Sequence, residues 1–251
     1  MTDKLNLDAI DVDGAIREAA DRVGRPGGVT RSGFLRRAGV AGSAVVGGGA
    51  LLGALAPSSA LAWDRSSGRP PRAFGRDDIG ILNYALTLEY LEAAFYNEAT
   101  AAGAITDPQT KVFLATVTAD ENAHVAFLQQ ALGSAAVAMP TFNFQGIPEN
   151  QAKFQQTAFV LENTGVHAYL GQATNIQTPA YLAAAASILT VEARHASVIG
   201  LIIDESPPGI APDGPFDTPY TADQVLTAVA ATGFITGGLP TSPPDTGGDD
   251  D

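Results

Sequence analysis

Cysteine is missing altogether from this 251-residue chain. Its absence excludes disulfides, thiolate zinc sites and cysteine nucleophiles. Any metal must therefore be held by oxygen and nitrogen, which suits iron, manganese or zinc rather than copper(I) or an iron–sulfur cluster. Basic residues are scarce as well: 14 Lys+Arg stand against 27 Asp+Glu, a formal charge of −13. A chain this acidic lacks the basic footprint that nucleic-acid binding requires, and no nucleic-acid partner is expected. Histidine is rarer still, at three residues, so the position of each one is informative.

The length suggests one domain of ordinary size plus tails. Residues 1–62 read as an N-terminal extension and export signal. The stretch "RSGFLRRAGVAGSAVVGGGALLGALAPSSALAW" runs from basic residues through an uncharged Gly/Ala/Val/Leu segment to Ala60-Leu61-Ala62. That is the layout of a cleavable signal, with cleavage expected after Ala62 and Trp63 as the new N-terminus. Thr30-Arg31-Ser32-Gly33-Phe34-Leu35-Arg36 resembles a twin-arginine export motif but has Ser32 where the second arginine belongs. The expected location is periplasmic or extracellular, with membrane contact only during export. Residues 1–62 carry 7 basic and 6 acidic residues, which leaves 7 basic and 21 acidic in the remaining 189, net −14. The domain is expected over 63–235, and residues 236–251, which include "PPDTGGDDD", read as a disordered acidic tail.

Between 77 and 206 the pattern predicts four long helices. The first starts near Asp77-Asp78, either of which can cap it, and runs to about Ala102. The second has Asp107 as N-cap and Pro108 at the first helical position, and ends at Gly133. The third begins around Pro148–Asn150 and runs to about Ala173. The fourth starts at Thr178-Pro179 and stops before Pro207-Pro208. Short connections make helices 1–2 and 3–4 antiparallel hairpins. The longer connection 134–147 can cross the length of a bundle, which is the ferritin-like arrangement. A last short helix is expected from Thr221, with Gln224 completing a capping box. The predicted fold is all-α.

"TADENAHVAFLQQ" places Glu121 and His124 three residues apart, on one helix face, within a stripe that otherwise reads Leu114, Val117, Leu128. A charge in an apolar stripe is costly unless something pairs with it. Helix 4 repeats the spacing in "TVEARHAS", with Glu192 and His195. Two of the three histidines thus follow a glutamate by three, in a segment with only 8 glutamates after residue 62. Helix 1 carries Glu89 in "LEYLEAAFY", and helix 3 carries Glu162 in "LENTGVHAY". Each hairpin therefore has one Glu on its first helix and Glu-x-x-His on its second. Tyr96 follows Glu89 by seven and Tyr169 follows Glu162 by seven, two turns in each case, so each tyrosine shares its glutamate's face. Two hairpins with one signature imply a pseudo-twofold site at the centre of the bundle. Without metal, four buried glutamates would repel one another and some would take up protons.

On "ALTLEYLEAAFY", "DENAHVAFL", "LENTGVHAYLG" and "VEARHASVIG" the chain resembles the ferritin-like superfamily, and more narrowly the exported ferritin-like proteins often called desiccation-related. The likeness covers roughly residues 74–235. It implies two iron or manganese ions, with Glu89, Glu121, His124, Glu162, Glu192 and His195 as ligands, the set known from ferritin-like dimetal carboxylate proteins. Tyr96 and Tyr169 are expected as core residues whose hydroxyls bond the ligands. Glu92, three after Glu89, is either an extra, labile carboxylate ligand as in rubrerythrins or, preferably, a boundary or surface residue. His167 reads as structural or exposed. Arg194 either pairs with a carboxylate on another helix or is solvated.

The leading functional expectation is oxidoreductase chemistry with dioxygen or hydrogen peroxide, of ferroxidase, peroxidase or catalase-like type, in stress protection. No cysteine site exists to deliver electrons, so a reductant must come from outside. The alternative is a non-catalytic protective protein with a structural or vestigial metal site. A storage cage fits less well with the extra helix near 221 and the acidic tail. A homo-oligomer is compatible with either reading.

Overall fold

A computed structural model describes residues 68–203 and 216–242. The export segment expected over 1–62 lies outside the described residues, as does the end of the acidic tail from 243.

Five helices account for most of the described chain. They are α1 (Asp77–Ala102), α2 (Pro108–Leu132), α3 (Gln151–Gln172), α4 (Pro179–Ile202) and α5 (Ala222–Thr232). Strands β1 (Thr141–Phe142) and β2 (Ile235–Gly237) form a small antiparallel pair. Helix α1 packs along α2 and α3 along α4, and the hairpins join through α1 on α3 and α2 on α4. The result is a four-helix bundle with one long crossover between α2 and α3, plus a short C-terminal helix.

The helix starts follow the local chemistry. Asp107 accepts from the Thr110 N–H at 2.7 Å and Pro108 occupies the first helical position. Asn150 accepts from Lys153 N–H at the head of α3. Thr221 and Gln224 form the complete capping box of α5. Such a cap contributes about 1 kcal/mol. Helix α1 is the exception. Its N-cap is Arg76, and neither aspartate caps it. Asp78 instead turns to the other hairpin, where its two oxygens accept from the N–H groups of Gln177 and Thr178 at 2.9 and 2.8 Å. It thus caps α4, whose own N-cap Thr178 makes no side-chain bond. The expected domain boundary at 235 falls inside β2, whose Ile235–Gly237 pairs with β1 in the crossover.

Helix α1 is buried over most of its circumference, the pattern of a central helix. Along it, Leu82 and Leu86 join one apolar cluster with Leu128, Leu132, Tyr169 and Ile188. Phe95, Tyr96 and Ala99 join a second with Phe113, Phe144, Phe154 and Val225. Glu89 and Glu92 stand between these two stretches of α1. Helix α4 is long and apolar enough to cross a membrane by length and composition. In the bundle, its Glu192, His195, Ala196 and Ile199 face is buried.

The segment before α5 crosses the back of α3. Tyr220 N–H donates to the His167 carbonyl at 3.1 Å, and the two rings stack 4.3 Å apart. A β-carbon at Gly171 would sit 1.7 Å from the Tyr220 carbonyl oxygen, so this crossing requires glycine there. His167 is therefore structural, as its position off the ligand stripe predicts.

Candidate metal centre

Each long helix contributes carboxylates to one point at the centre of the bundle. Glu89, Glu121, Glu162 and Glu192 are all fully buried, and His195 is nearly so. The i, i+3 spacing puts Glu121 with His124 on the inward face of α2, and Glu192 with His195 on that of α4.

Two overlapping groups result. Glu89, Glu121, His124 and Glu192 offer donor atoms that all lie within 4.8 Å of one another. Glu121, Glu162, Glu192 and His195 do the same. Glu121 and Glu192 belong to both. Nδ1 of His124 lies 3.2 Å from Glu89 Oε2, 3.1 Å from Glu121 Oε2 and 3.2 Å from Glu192 Oε1. Nδ1 of His195 lies 3.2 Å from both Glu121 Oε1 and Glu162 Oε2. Glu121 thus turns one oxygen to each histidine.

Only two of these contacts, from His124 Nδ1 to Glu89 and to Glu121, have hydrogen-bond geometry, and they compete for one ring nitrogen. One imidazole nitrogen carries at most one proton and cannot serve three carboxylates. Glu121 Oε1, Glu162 Oε2, both oxygens of Glu192 and His195 Nδ1 are buried with no hydrogen-bond partner. Buried polar atoms are rarely left so. These partnerless atoms still lie within 4.8 Å of the other donor atoms of their group, the arrangement expected of ligands grouped around a common point. Coordination bonds of about 2.1 Å place neighbouring donor atoms about 3.0–3.4 Å apart, and the observed 3.1–3.2 Å falls in that range. The donor set fits a divalent metal, and hard oxygen with imidazole suits iron, manganese or zinc.

Electrostatics agree. Burial, then the neighbouring carboxylates, hold the carboxyls of Glu92 and Glu192 well above the ordinary range. Burial likewise raises Glu121 and Glu162, against the adjacent histidines, which pull them down. For His195, burial opposes the charged form, but Glu121 and Glu162 outweigh it and push it up to about 11. His124 rises further for the same reason, through Glu121, Glu192 and Glu89. Without a metal the cluster would collect protons to offset its own charge.

The two tyrosines hold the outer carboxylates, and they do so across the halves. The Tyr96 hydroxyl on α1 donates to Glu162 Oε1 on α3. The Tyr169 hydroxyl on α3 donates to Glu89 Oε1 on α1. Each of these glutamates keeps its other oxygen for the cluster. Burial first, then the adjacent carboxylates, keep both phenols protonated and hence donors. Both hydroxyls lie at the cluster, two turns along the helix from Glu89 and Glu162 respectively. The exchange of partners between hairpins is a property of the packing.

Three features were misread or missed in the sequence. Glu92 is buried, contrary to the preferred surface position, and its Oε1 has no partner. Its position one turn after Glu89 was the available signal, and the burial of α1 on nearly all sides decides it. Gly165, three residues after Glu162, leaves space that the Glu192 carboxylate uses, with Glu92 beside it. A β-carbon there would lie 3.0 Å from Glu192 Oε2 and 3.6 Å from Glu92 Oε1. Asp120, next to Glu121, accepts from His195 Nε2 at 3.0 Å and so orients that ring with Nδ1 toward the cluster. Arg194 is exposed and donates to the Thr190 carbonyl on its own helix, the solvated alternative.

No curated protein is similar enough to match the chain. A family model, described as a ferritin-like domain, matches residues 77–205, from the first residue of α1 past the end of α4. That stretch includes all six ligand candidates, and with the bundle and its crossover already established, the chain belongs to the ferritin-like domain family.

Proposed function

We propose that the chain is an exported dimetal protein. Its two iron or manganese ions would carry out oxidoreductase chemistry on dioxygen or hydrogen peroxide, of ferroxidase, peroxidase or catalase-like type, in protection against stress such as desiccation. One observation carries this reading: four buried carboxylates and two imidazoles converge with oxygens and a nitrogen left without hydrogen-bond partners. In this reading Glu89, Glu121, His124, Glu162, Glu192 and His195 would hold the ions, with Glu121 and Glu192 common to both groups of donors. Bound iron or manganese would supply the electrons that reduce the oxidant.

The protein's own residues have distinct tasks. Tyr96 and Tyr169 pin the outer glutamates so that one oxygen of each stays on the cluster. Asp120 fixes the orientation of His195. Phe113 and Phe154 pack against Tyr96 at 6.2 and 6.0 Å and keep water from that side. The reductant is external, since the chain has no cysteine to hold an electron-delivering centre. Export through the segment ending at Ala62 belongs to the same reading and is supported by that segment's layout.

Metal analysis of protein from its native exported fraction tests it. About two ions per chain are expected. Glu121→Ala and Glu192→Ala should each lose at least one ion, and unchanged stoichiometry in both would sink the site. Protein loaded with Fe(II) should consume dioxygen or peroxide faster than free Fe(II). If the loaded metal ignores both oxidants, the non-catalytic protective reading takes over.

A further inference from the structure

An apolar cavity of about 20 Å³ lies beside the cluster, between α1, α3 and α4. Ile81, Leu82, Ala85 and Leu88 line it from α1, Tyr169 from α3 and Ala185 from α4. The surface it exposes is carbon only. Tyr169 is the shared wall: its ring borders the cavity and its hydroxyl donates to Glu89. The other tyrosine, Tyr96, is packed by Phe95, Phe113 and Phe154, with ring centroids 5.3–6.2 Å away.

The size admits one very small molecule, since a cavity of roughly 10–15 Å³ by this measure already holds a water. The wall chooses which. Water and hydrogen peroxide would have to shed their hydrogen bonds to enter, and the exposed wall, although Tyr84 and Gln172 contribute to it, presents no polar surface in return. Apolar cavities therefore stay dry and take apolar guests. Dioxygen has no hydrogen bonds to lose. We infer that this cavity is a binding site for dioxygen and supplies it to the Glu89 side of the cluster, which makes dioxygen rather than peroxide the oxidant that reaches the site by this path. The delivery role rests on the metal reading of the cluster; the binding of the gas does not.

Dioxygen itself is the probe. The full chain, loaded with redox-inert zinc, is placed under oxygen pressure and methyl relaxation is measured by NMR. Methyls of Ile81, Leu82 and Leu88 should relax several-fold faster than those of Ile199 and Val117, which are equally buried elsewhere. Equal rates at both sets would overturn the proposal. Ala85→Val and Ala185→Val fill the cavity from two different helices and should each abolish the excess. Leu82→Ala enlarges it and should increase the excess at Leu88 and Ile81, which keeps the test open if the filling variants fold poorly. In Fe(II)-loaded protein the filling variants should slow oxidation by dioxygen several-fold and leave oxidation by peroxide unchanged. A parallel fall in both rates would mean that the substitutions disturb the cluster itself, and the delivery role would be lost. Failure of the wild type to bind metal would overturn the metal reading and delivery together, while the zinc-free chain under oxygen still decides whether the cavity holds the gas.

Discussion

The hairpins α1–α2 and α3–α4 each carry three corresponding ligand candidates but differ in what surrounds them. Glu89 corresponds to Glu162, Glu121 to Glu192, His124 to His195 and Tyr96 to Tyr169. One turn after the first glutamate the correspondence fails: Glu92 on α1 stands opposite Gly165 on α3. It fails again beside the second, where Asp120 of α2 corresponds to Val191 of α4. As a consequence His195 is oriented by a carboxylate. His124 has no hydrogen-bond partner on its Nε2 among the described residues. The tyrosines differ too, one packed by phenylalanines and the other bordering a cavity. The ligand set is thus symmetric and its setting is not. Function that needs two ions to behave differently can arise from the setting alone.

Restoring the symmetry at Gly165 should have the largest effect. Gly165→Glu adds another carboxylate to a buried cluster and fills the space of Glu192 and Glu92. We expect a loss of about 3–5 kcal/mol in metal-free protein by denaturant unfolding, the scale of an uncompensated buried charge. Glu92→Gln, which removes the unmatched charge from the other side, should stabilise the metal-free protein. Equal stability of wild type and Gly165→Glu would show that the two halves tolerate symmetry after all.

The shared carboxylates set a pH dependence. Glu92, Glu121, Glu162 and Glu192 and both histidines have folded-state values raised above their ordinary ones. The native state therefore binds more protons than the unfolded chain, and stability falls as pH rises. For His195 the contribution is fully present below about 6.5 and is lost as pH rises through about 11. The melting temperature of metal-free protein should decline from pH 5 to pH 9. Two divalent ions should flatten that slope, because they replace the protons. A metal-free protein whose stability rises over this range would contradict the burial of the cluster.

Asp120 separates the histidines more gently. Asp120→Ala should weaken one of two metal-binding steps by about 10–100-fold, the usual cost of losing the partner of a ligating histidine, and leave the other step alone. Calorimetric titration distinguishes this from a uniform loss across both steps, which would mean that the ions share a single environment. The smallest effects are expected at the tyrosines. Tyr96→Phe and Tyr169→Phe each remove one buried hydrogen bond and should cost about 1 kcal/mol while keeping both ions. Tyr96→Phe should still change the oxidation rate, since it frees an outer glutamate. Retention of the wild-type rate in both variants would limit the tyrosines to a structural role.

Much of the molecule was legible without coordinates. Pro108 and Pro179 at first helical positions, Asp107 and Asn150 as caps and the Thr221–Gln224 box mark helix starts through local hydrogen bonding. The spacing of Glu121 with His124 and of Glu192 with His195 marks the ligand candidates, because three residues along a helix return to one face whatever surrounds it. Those are properties of the chain over one or two turns. Tertiary structure decided the rest. Periodicity gives an angle around a helix axis and not the neighbour met at that angle, so it placed Tyr96 and Tyr169 at the cluster without telling that each bonds the other hairpin's glutamate. Asp78 lies at the start of α1 but serves α4, for the same reason. On a helix covered nearly all round, the angle no longer separates core from surface, and Glu92 is buried with the rest of α1.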